Sequence, residues 1–576
     1  MTVINPFWDN PFVGGGLMST LLKFFLDRLQ RTREMAEKRN KHSFGIDPAI
    51  VKKFNWDRSR SHVLADMKTD FIFAPHIRCI FKDSFDDLKS ELRSELENGK
   101  FSPSIPVTME VPKSTRMRSV SLKRLGPSFS RPGSILMPKD RLLYQLIADD
   151  LASILDQNTD KSRSFSNWIA GSEHEGKFFV PSRICWNEMQ ERLRVLSEHR
   201  TTKYVVKLDV ASCFSSINQH TLINFLKHIG CSEAHCAPLE NILVKFTGDR
   251  NSRGIIQGVF PSDLLGNFYL TPIDQLLSDM KVPSVRYVDD IYIFVRSFDH
   301  AERIIRDITR ELRVYDLYLN EYKSSIMAAS ALFTEEPDLE ALFEDAIDEV
   351  ESQFTHDEIS SDYGFQTEFD DEVPEVTETP DKELIATQRL FDSANQYEGS
   401  EEKIERFCLP LFAKAESDYA IDHVISNLVI RPSMAQLYGM YASKFLKDEV
   451  VLRNHIEKSI IEDELFFDWQ KMWLISSLIA GGVGGDNLVL WCLELVVQSK
   501  CHDALKAVAA IYVCRFGNFM RRKSICGEYS NSSPYVQSAI LYGSRYFPSS
   551  ERRNAVTNWA GHGYMHGLIA QTLTGQ

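Results

Sequence analysis

Two adjacent aspartates, Asp289 and Asp290, stand between two apolar, β-branched stretches and are the residues best suited to chemistry. The run Val285–Val295 predicts two strands that meet at a tight turn, with both carboxylates at that turn. Two like charges beside buried strands repel each other and lose hydration, and gathered carboxylates are typical ligands of Mg²⁺ or Mn²⁺. An exposed turn in an ordinary hairpin is the alternative, since aspartate is common in turns.

A third carboxylate, Asp209, ends another predicted strand and precedes a predicted helix. The end of a buried strand is a common place for a catalytic carboxylate, whereas a helix N-cap is the structural alternative. Between these carboxylates lies a glycine-rich loop with Gln257 and Gly258, followed by a predicted helix. Gly258 permits close backbone approach, and Ser262 or Asp263 would cap the helix.

Basic residues gather on a predicted strand, turn and strand upstream of the carboxylates. The first strand is predicted from Val107 and ends at Pro112. Lysine and arginine on such a scaffold suit triphosphate or backbone phosphate, and a charged surface hairpin is the alternative. The basic side chains are Lys113, Arg116, Arg118, Lys123, Arg124 and Arg131.

The composition places these residues in a globular chain of 576 residues, for which two to four domains are expected. The net charge of −14 would disfavour a nucleic-acid-binding protein, but twenty of the acidic residues lie within residues 335–383. The remainder carries 60 acidic and 65 basic residues, a net charge of +5, which suits a body that binds a polyanion.

Several features predict a cytoplasmic protein without a membrane partner. No apolar run approaches the roughly 18–20 residues of a membrane span, and no signal peptide is evident. The ten cysteines include no CxxC pair, which suits free thiols in a reducing compartment.

Taken in chain order over about residues 105–330, these pieces resemble the fingers and palm of a reverse transcriptase. The fingers resemblance rests on Pro112-Lys113 and on Arg131-Pro132-Gly133. The palm resemblance rests on four motifs in order, which are Asp209 with Phe214, Gln257-Gly258 with Pro261-Ser262, Tyr287-Val288-Asp289-Asp290, and Leu319-Asn320 with Lys323.

The resemblance implies two-metal nucleotidyl transfer from dNTPs to a primer hydroxyl. It implies that Asp209, Asp289 and Asp290, together with the Val210 carbonyl, bind Mg²⁺ or Mn²⁺. Lys323 would protonate the pyrophosphate leaving group. The implied nucleotide-binding residues are Lys113, Arg131, Phe214, Gln257 and Gly258.

The ring of Phe214 would clash with a ribose 2′-hydroxyl and so favour dNTPs. Viral RNA-copying polymerases resemble this layout but usually place a polar residue there and a glycine before the two aspartates, where this chain has Val288.

The predicted fold class is an α+β right-hand polymerase palm and fingers followed by an all-α helical-repeat domain. The predicted parts are a helical N-terminal extension over 1–100, which includes an amphipathic helix near 17–41, and the fingers and palm over 101–332. An acidic, flexible linker or insertion is predicted over 333–385, and a HEAT-like helical domain over 386–576.

The long helical tail resembles that of bacterial antiphage reverse transcriptases of the abortive-infection and defence-associated groups. Some of these enzymes copy an RNA, and others make DNA without a template from a tyrosine hydroxyl, so covalently protein-primed DNA is a further implied product. The helical array would also suit association between copies of the chain. Candidate tyrosines, for each of which core packing is the stronger interpretation, are Tyr438, Tyr441, Tyr512, Tyr529, Tyr535, Tyr542, Tyr546 and Tyr564.

Two alternatives stay open at the level of sequence. A retron-like or group II intron-like enzyme would use a dedicated noncoding RNA, although retron enzymes usually end in a short thumb rather than about 190 residues of helices. A non-catalytic scaffold would bind nucleic acid, but it would not need to keep three acids, Asp209, Asp289 and Asp290.

Overall fold

A computed structural model describes residues 46–120, 126–174, 176–335, 381–396, 401–498 and 500–574. The helix predicted near 17–41 and residues 336–380 of the acidic segment lie outside the described residues, so both stay predictions. The described chain begins with helices that pack around a buried apolar core. They are α1 (Pro48–Val51), α2 (Trp56–Asp66), α3 (Pro75–Asp83) and α4 (Phe85–Glu97).

Two antiparallel strands form the fingers hairpin, β1 (Val107–Arg116) and β2 (Ser128–Ile135). The prediction that the first strand ends at Pro112 is wrong, because β1 continues past this residue, and the register becomes irregular between Pro112 and Arg116. Proline is tolerated here because both strands of a two-stranded sheet are edge strands, so a missing N–H need not break a ladder.

An antiparallel sheet of four strands forms the palm, in the order β4-β5-β3-β6. Its strands are β3 (Tyr204–Asp209), β4 (Ser284–Tyr287), β5 (Asp290–Val295) and β6 (Ser325–Ala328). Alternation along β3 places Val206 and Leu208 on one face and Asp209 on the other.

Helices surround the palm sheet, and apolar side chains from them cover both of its faces. They are α5 (Pro138–Gln157), α6 (Ser182–Ser197), α7 (Cys213–Ser216), α8 (Gln219–His228), α9 (Glu233–Phe246), α10 (Phe260–Tyr269), α11 (Thr271–Asp279), α12 (Phe298–Val314) and α13 (Leu332–Glu335). The most amphipathic of the palm helices is α12, which buries Ile304, Ile308 and Leu312 at helical spacing.

Every regular element described between residues 381 and 574 is helical, which confirms a palm and fingers followed by an all-helical region. The helices are α14 (Asp381–Asp392), α15 (Glu401–Lys414), α16 (Ile421–Asn427), α17 (Ala435–Ser443), α18 (Val450–Ile461), α19 (Asp468–Gly481), α20 (Asp486–Val497), α21 (Asp503–Phe516), α22 (Phe519–Gly527), α23 (Pro534–Gly543), α24 (Ser549–Trp559) and α25 (Tyr564–Thr574).

The C-terminal helices pack back onto the N-terminal helices and the fingers. The indole N–H groups of Trp469 and Trp473 donate to the carbonyl of Phe71 at 2.7 and 3.2 Å. The hydroxyl of Ser84 donates to the Leu568 carbonyl at 2.9 Å. One continuous apolar core therefore joins both ends of the described chain. Among the described helices, none is long and apolar enough to cross a membrane.

Candidate active site

Asp209 ends strand β3, and the loop before β6 fixes its position. Its carbonyl accepts a hydrogen bond from the Asn320 amide at 2.7 Å, and its amide donates to the Ser324 hydroxyl at 3.4 Å. The ammonium of Lys323 lies 3.1 Å from the Asp209 carboxylate. The structure thus brings together the first and fourth predicted motifs, which are 114 residues apart.

The turn between β4 and β5 consists of Val288 and Asp289. Val288 has a φ of 55°, a left-handed conformation that is unusual for a β-branched residue. Its amide donates to the Ser166 hydroxyl at 2.9 Å, and its carbonyl accepts from the Arg286 guanidinium at 2.9 Å. The predicted tight turn is therefore present, and two side chains hold it in a strained conformation.

The three aspartates lie close together at one end of the palm sheet. Asp209 and Asp290 are direct partners in the register of β3 and β5, and the Val210 amide donates to the Asp289 carbonyl at 3.4 Å. Burial, followed by repulsion from Asp290 and Asp209, raises the pKa of Asp289 to about 6, against the attraction of Lys323. Burial also raises the pKa of Asp290.

Carboxylates that repel one another in a partly buried site are a donor set that a divalent cation would neutralise. Within the described residues, however, no three acidic, histidine or cysteine side chains converge closely enough to hold a metal ion. The Asp209 carboxylate is turned toward Lys323 instead. The donor chemistry therefore fits Mg²⁺ or Mn²⁺, whereas the side chains must rearrange, and Lys323 must release Asp209, for the metal to bind.

A buried polar network holds the turn between β4 and β5 in place. The guanidinium of Arg286 lies 2.5 Å from the Asp274 carboxylate and donates to the Asn267 side-chain oxygen at 2.7 Å. The Asn267 side-chain amide donates to the Ser166 carbonyl at 3.0 Å. The sequence analysis missed this network. Its signal was Arg286, a charged residue inside a strand predicted to be buried, which requires a buried partner.

The fingers hairpin carries Lys113 and Arg131 to within electrostatic range of the aspartates. Burial and repulsion from Arg131 lower the pKa of Lys113, against the attraction of Asp209 and Asp289. Burial lowers the pKa of Arg131, and the attraction of Asp289 opposes this effect. The Arg131 guanidinium lies over the ring of Phe71, 4.9 Å from its centroid. The two predicted triphosphate-binding residues thus face the predicted metal ligands.

Phe214 packs against the second half of α10, and the loop of Gln257 and Gly258 leads into the start of this helix. The ring of Phe214 is buried against Gly266, where an added Cβ would lie 3.1 Å from the ring. Gly258 has a φ of 83°, and a Cβ there would lie 2.6 Å from the ring of Phe71. Gln257 is half-buried. Glycine is thus required at position 258 both by its backbone conformation and by its neighbour.

The N-terminal extension supplies two site residues that the sequence analysis did not find. The Asp66 carboxylate accepts a hydrogen bond from the amide of Phe260, the first residue of α10, at 3.0 Å. The prediction that Ser262 or Asp263 caps this helix is therefore wrong, because α10 begins earlier and its cap comes from a distant part of the chain. Phe71 is the second missed residue, and no local pattern marks it.

A two-stranded fingers hairpin, an antiparallel sheet and three clustered aspartates together form the fingers and palm of a right-hand polymerase. Residues 112–359 match the family described as "Reverse transcriptase (RNA-dependent DNA polymerase)". This part of the chain is therefore a reverse transcriptase domain, the domain of RNA-directed DNA polymerases. No curated protein matches the sequence.

Solved structures of telomerases are similar to this chain. Telomerase from Candida albicans in complex with a TWJ fragment of telomeric RNA has 11% identity and a TM-score of 0.28, with 67% of this chain and 66% of that chain covered. The corresponding complex from Candida tropicalis has 11% identity, a TM-score of 0.26 and coverages of 69% and 68%. Apo telomerase from Candida tropicalis has 12% identity, a TM-score of 0.25 and coverages of 85% and 74%. Scores this low carry no argument about function.

Proposed function

We propose that the protein is an RNA-directed DNA polymerase that transfers nucleotides from dNTPs to a primer hydroxyl. The observation that carries this proposal is that Asp209, Asp289 and Asp290 lie at one end of the palm sheet, within electrostatic range of Lys113 and Arg131 of the fingers. Carboxylates on one side and cations on the other are the arrangement that metal-bound triphosphate requires.

In this proposal Asp209 and Asp289 hold Mg²⁺ or Mn²⁺, with Asp290 and the Val210 carbonyl in support. The metal ions supply charge neutralisation for the attacking and leaving oxygens. The primer 3′-hydroxyl gives up its proton to solvent, and its oxygen forms a bond to the α-phosphorus of the dNTP while the bond from that phosphorus to pyrophosphate breaks. Lys323 donates a proton to the pyrophosphate, after release from its ion pair with Asp209.

The fingers, the loop before α10 and Phe214 would select the nucleotide. Lys113 and Arg131 bind the triphosphate, and Gln257 and Gly258 line the nucleotide pocket. The buried ring of Phe214, fixed against the neighbouring helix, excludes a ribose 2′-hydroxyl and so favours dNTPs.

We further propose that this polymerase acts in bacterial antiphage defence, within the cytoplasm, and that the C-terminal region is a HEAT-like array. The combination of a reverse transcriptase domain with a long all-helical region supports the proposal. All ten cysteines are free, which suits a reducing compartment.

An RNA template is the proposed mode of synthesis rather than priming from a tyrosine of the helical region. A priming hydroxyl must reach the catalytic aspartates, and a tyrosine that packs in the core would first have to be exposed by local unfolding. Buried tyrosines of this region are Tyr438, Tyr441, Tyr512, Tyr529, Tyr535 and Tyr542.

Incorporation of labelled dNTPs by the purified protein with Mg²⁺ tests the chemistry, with and without an RNA template and DNA primer. We expect incorporation by the wild type and none above background by the Asp289→Ala/Asp290→Ala variant. Equal incorporation by both proteins under all conditions would show that the chain is not a polymerase. Label that stays on the protein after denaturation would replace the templated mode with protein priming.

Phage infection of cells that express either protein tests the defence role. We expect fewer plaques with the wild type than with the Asp289→Ala/Asp290→Ala variant. Equal plaque numbers across a diverse phage panel would contradict the defence role and leave the polymerase chemistry intact.

A further inference from the structure

Helix α15 of the C-terminal region reaches the candidate active site. Lys403, in its first turn, is exposed and acts electrostatically on Asp290 and on Lys207 of strand β3. Arg406, one turn further along the same helix, acts on Arg131 of the fingers. One helix thus lies within electrostatic range of both the palm carboxylates and the fingers, although it lies far from both in sequence.

Hydrogen bonds hold Arg406 and the fingers hairpin to a common turn. The Arg406 guanidinium donates to the Ser433 carbonyl at 3.1 Å, and the Ser433 hydroxyl donates to Glu402 at 2.8 Å. Next to this turn, the Arg116 guanidinium of β1 donates to the Ile430 carbonyl. The turn that contains Ser433 also packs against β1. Arg406 is therefore kept beside the hairpin by contacts that do not depend on substrate.

The cations on this side of the cleft repel one another. Lys113 and Arg131 repel each other, and Arg406 adds a further repulsion on Arg131. The Nε of Arg131 is buried and has no hydrogen-bond partner in the described structure. A half-buried guanidinium with one unused donor, repelled by two other cations, is a place where a bound anion would be stabilised.

We propose that Arg406 binds the triphosphate of the incoming dNTP together with Lys113 and Arg131, so that the C-terminal helical region completes the nucleotide site. This inference rests on the proposed polymerase function. A polyphosphate is the anion that matches the site, because it offers several charged oxygens to three separate cations. The Arg406 guanidinium lies 3.9 Å from the Glu402 carboxylate, and about one third of the Arg406 side chain is exposed.

Steady-state kinetics of the full-length Arg406→Gln and Arg406→Lys variants test the proposal, with dTTP as substrate on poly(rA) primed with oligo(dT). We expect Arg406→Gln to raise the KM for dTTP about tenfold, the loss of about one charged hydrogen bond, with little change in the KM for the primer and template. Arg406→Lys should recover part of the loss. The control Arg553→Gln removes the same charge from an exposed position of α24 and should leave both constants unchanged.

Equilibrium binding separates this inference from the polymerase proposal. Calorimetric titration with dTTP and with inorganic tripolyphosphate, in Ca²⁺ to prevent turnover, should show about tenfold weaker binding of both by Arg406→Gln than by the wild type. An active wild type with unchanged dTTP affinity in a folded Arg406→Gln variant would overturn the inference alone. A higher KM only for primer and template would overturn it as well, by assigning Arg406 to nucleic acid. A wild type that neither binds nor incorporates dTTP would overturn both proposals.

Discussion

At the scale of single residues, the position of the turn that carries Asp289 depends on side chains that are neither predicted metal ligands nor part of the fingers. Val288 is strained, and the hydrogen bonds from Arg286 and to Ser166 offset that strain. Arg286 is in turn held by Asp274 and Asn267. The position of Asp289 therefore follows from a buried ion pair, which stabilises one turn geometry at the expense of desolvating two charges.

The first prediction concerns this ion pair. Asp274→Asn leaves the Arg286 guanidinium buried without its counter-charge, so we expect a loss of about 3–5 kcal/mol in the free energy of unfolding. In protein that stays folded, kcat should fall while the KM for dNTP changes little, because the turn loosens but the triphosphate site remains. Thermal melts and steady-state kinetics measure both effects.

Asp279→Asn is the matched control, because Asp279 is an exposed residue of the same helix α11. It should change neither stability nor kcat. A folded Asp274→Asn protein with wild-type kcat would show that the ion pair supports the fold but not the turn.

Asp140 provides a pH prediction away from the active site. It is buried in α5, and its carboxylate accepts a hydrogen bond from the Ser104 amide at 3.0 Å. Burial raises its pKa to about 7. Because the folded pKa exceeds the unfolded value of 3.8, this residue stabilises the fold at low pH, and that contribution is lost as the pH rises through about 7.

Asp140→Asn removes this titration and keeps an oxygen that can accept from Ser104. We therefore expect the variant to gain stability relative to the wild type between pH 5 and pH 8, by roughly 1–3 kcal/mol. Denaturant titrations at both values measure the gain. A difference between the two proteins that does not depend on pH would show that Asp140 does not titrate in this range.

At the scale of elements, the segment after α2 packs through Phe71 between three parts of the molecule, which are β2, the loop before α10, and α19. The ring of Phe71 lies beneath Arg131 of β2 and against Gly258, and the Phe71 carbonyl accepts from Trp469 and Trp473 of α19. The N-terminal extension thus positions two elements that we propose to bind the nucleotide. Mutations of Phe71 should therefore change nucleotide affinity, although Phe71 does not contact the predicted metal ligands.

A double-mutant cycle tests this contact. Gly258→Ala introduces a Cβ 2.6 Å from the ring of Phe71, so we expect a KM for dNTP more than about tenfold higher. Phe71→Ala alone should raise the KM less, by removing the support of Arg131. In the double variant the clash is gone, and the combined effect should be smaller than the sum in free energy.

The rescue should be partial, because the left-handed backbone at position 258 still disfavours alanine. Kinetics of the four proteins give the coupling free energy. Additive effects would place Phe71 and Gly258 in independent roles.

Local sequence patterns predict some features of the fold and the site, whereas contacts between distant residues decide others. The strands β3 and β5 and their aspartates are encoded locally, because an apolar run ends at Asp209 and another begins after Asp290, and both strands were predicted correctly as elements. The roles of Asp66, Phe71 and Arg286 depend on contacts with residues distant in sequence, which no local periodicity records. Residues 550–571 have apolar residues at helical spacing throughout, yet they belong to two helices, because Gly561 and Gly563 interrupt the run.

At the scale of the whole molecule, the two ends of the described chain form one packed body. The N-terminal helix α3 packs against α25, and Lys139 at the start of α5 lies 4.1 Å from the ring centroid of Tyr564. The His502 ring is hydrogen-bonded to the Thr108 carbonyl of the fingers at 2.6 Å. The helical region is therefore attached to the N-terminal extension and to the fingers, and it is not a separate unit.

Because the two ends of the described chain pack together, we expect the full-length protein to unfold in one cooperative transition, although chains of this size usually unfold in several steps. Trp473→Ala should remove a buried side chain at the joint and cost about 3–5 kcal/mol. The single transition should then move to lower temperature without splitting, because both sides lose the same contact. Phe466→Ala, at a position that is 93% exposed, is the control and should leave the transition in place. Differential scanning calorimetry, together with heat inactivation of dNTP incorporation, measures both. Two separate heat-absorption peaks in the wild type, with activity lost at only one of them, would contradict the idea of one folding unit.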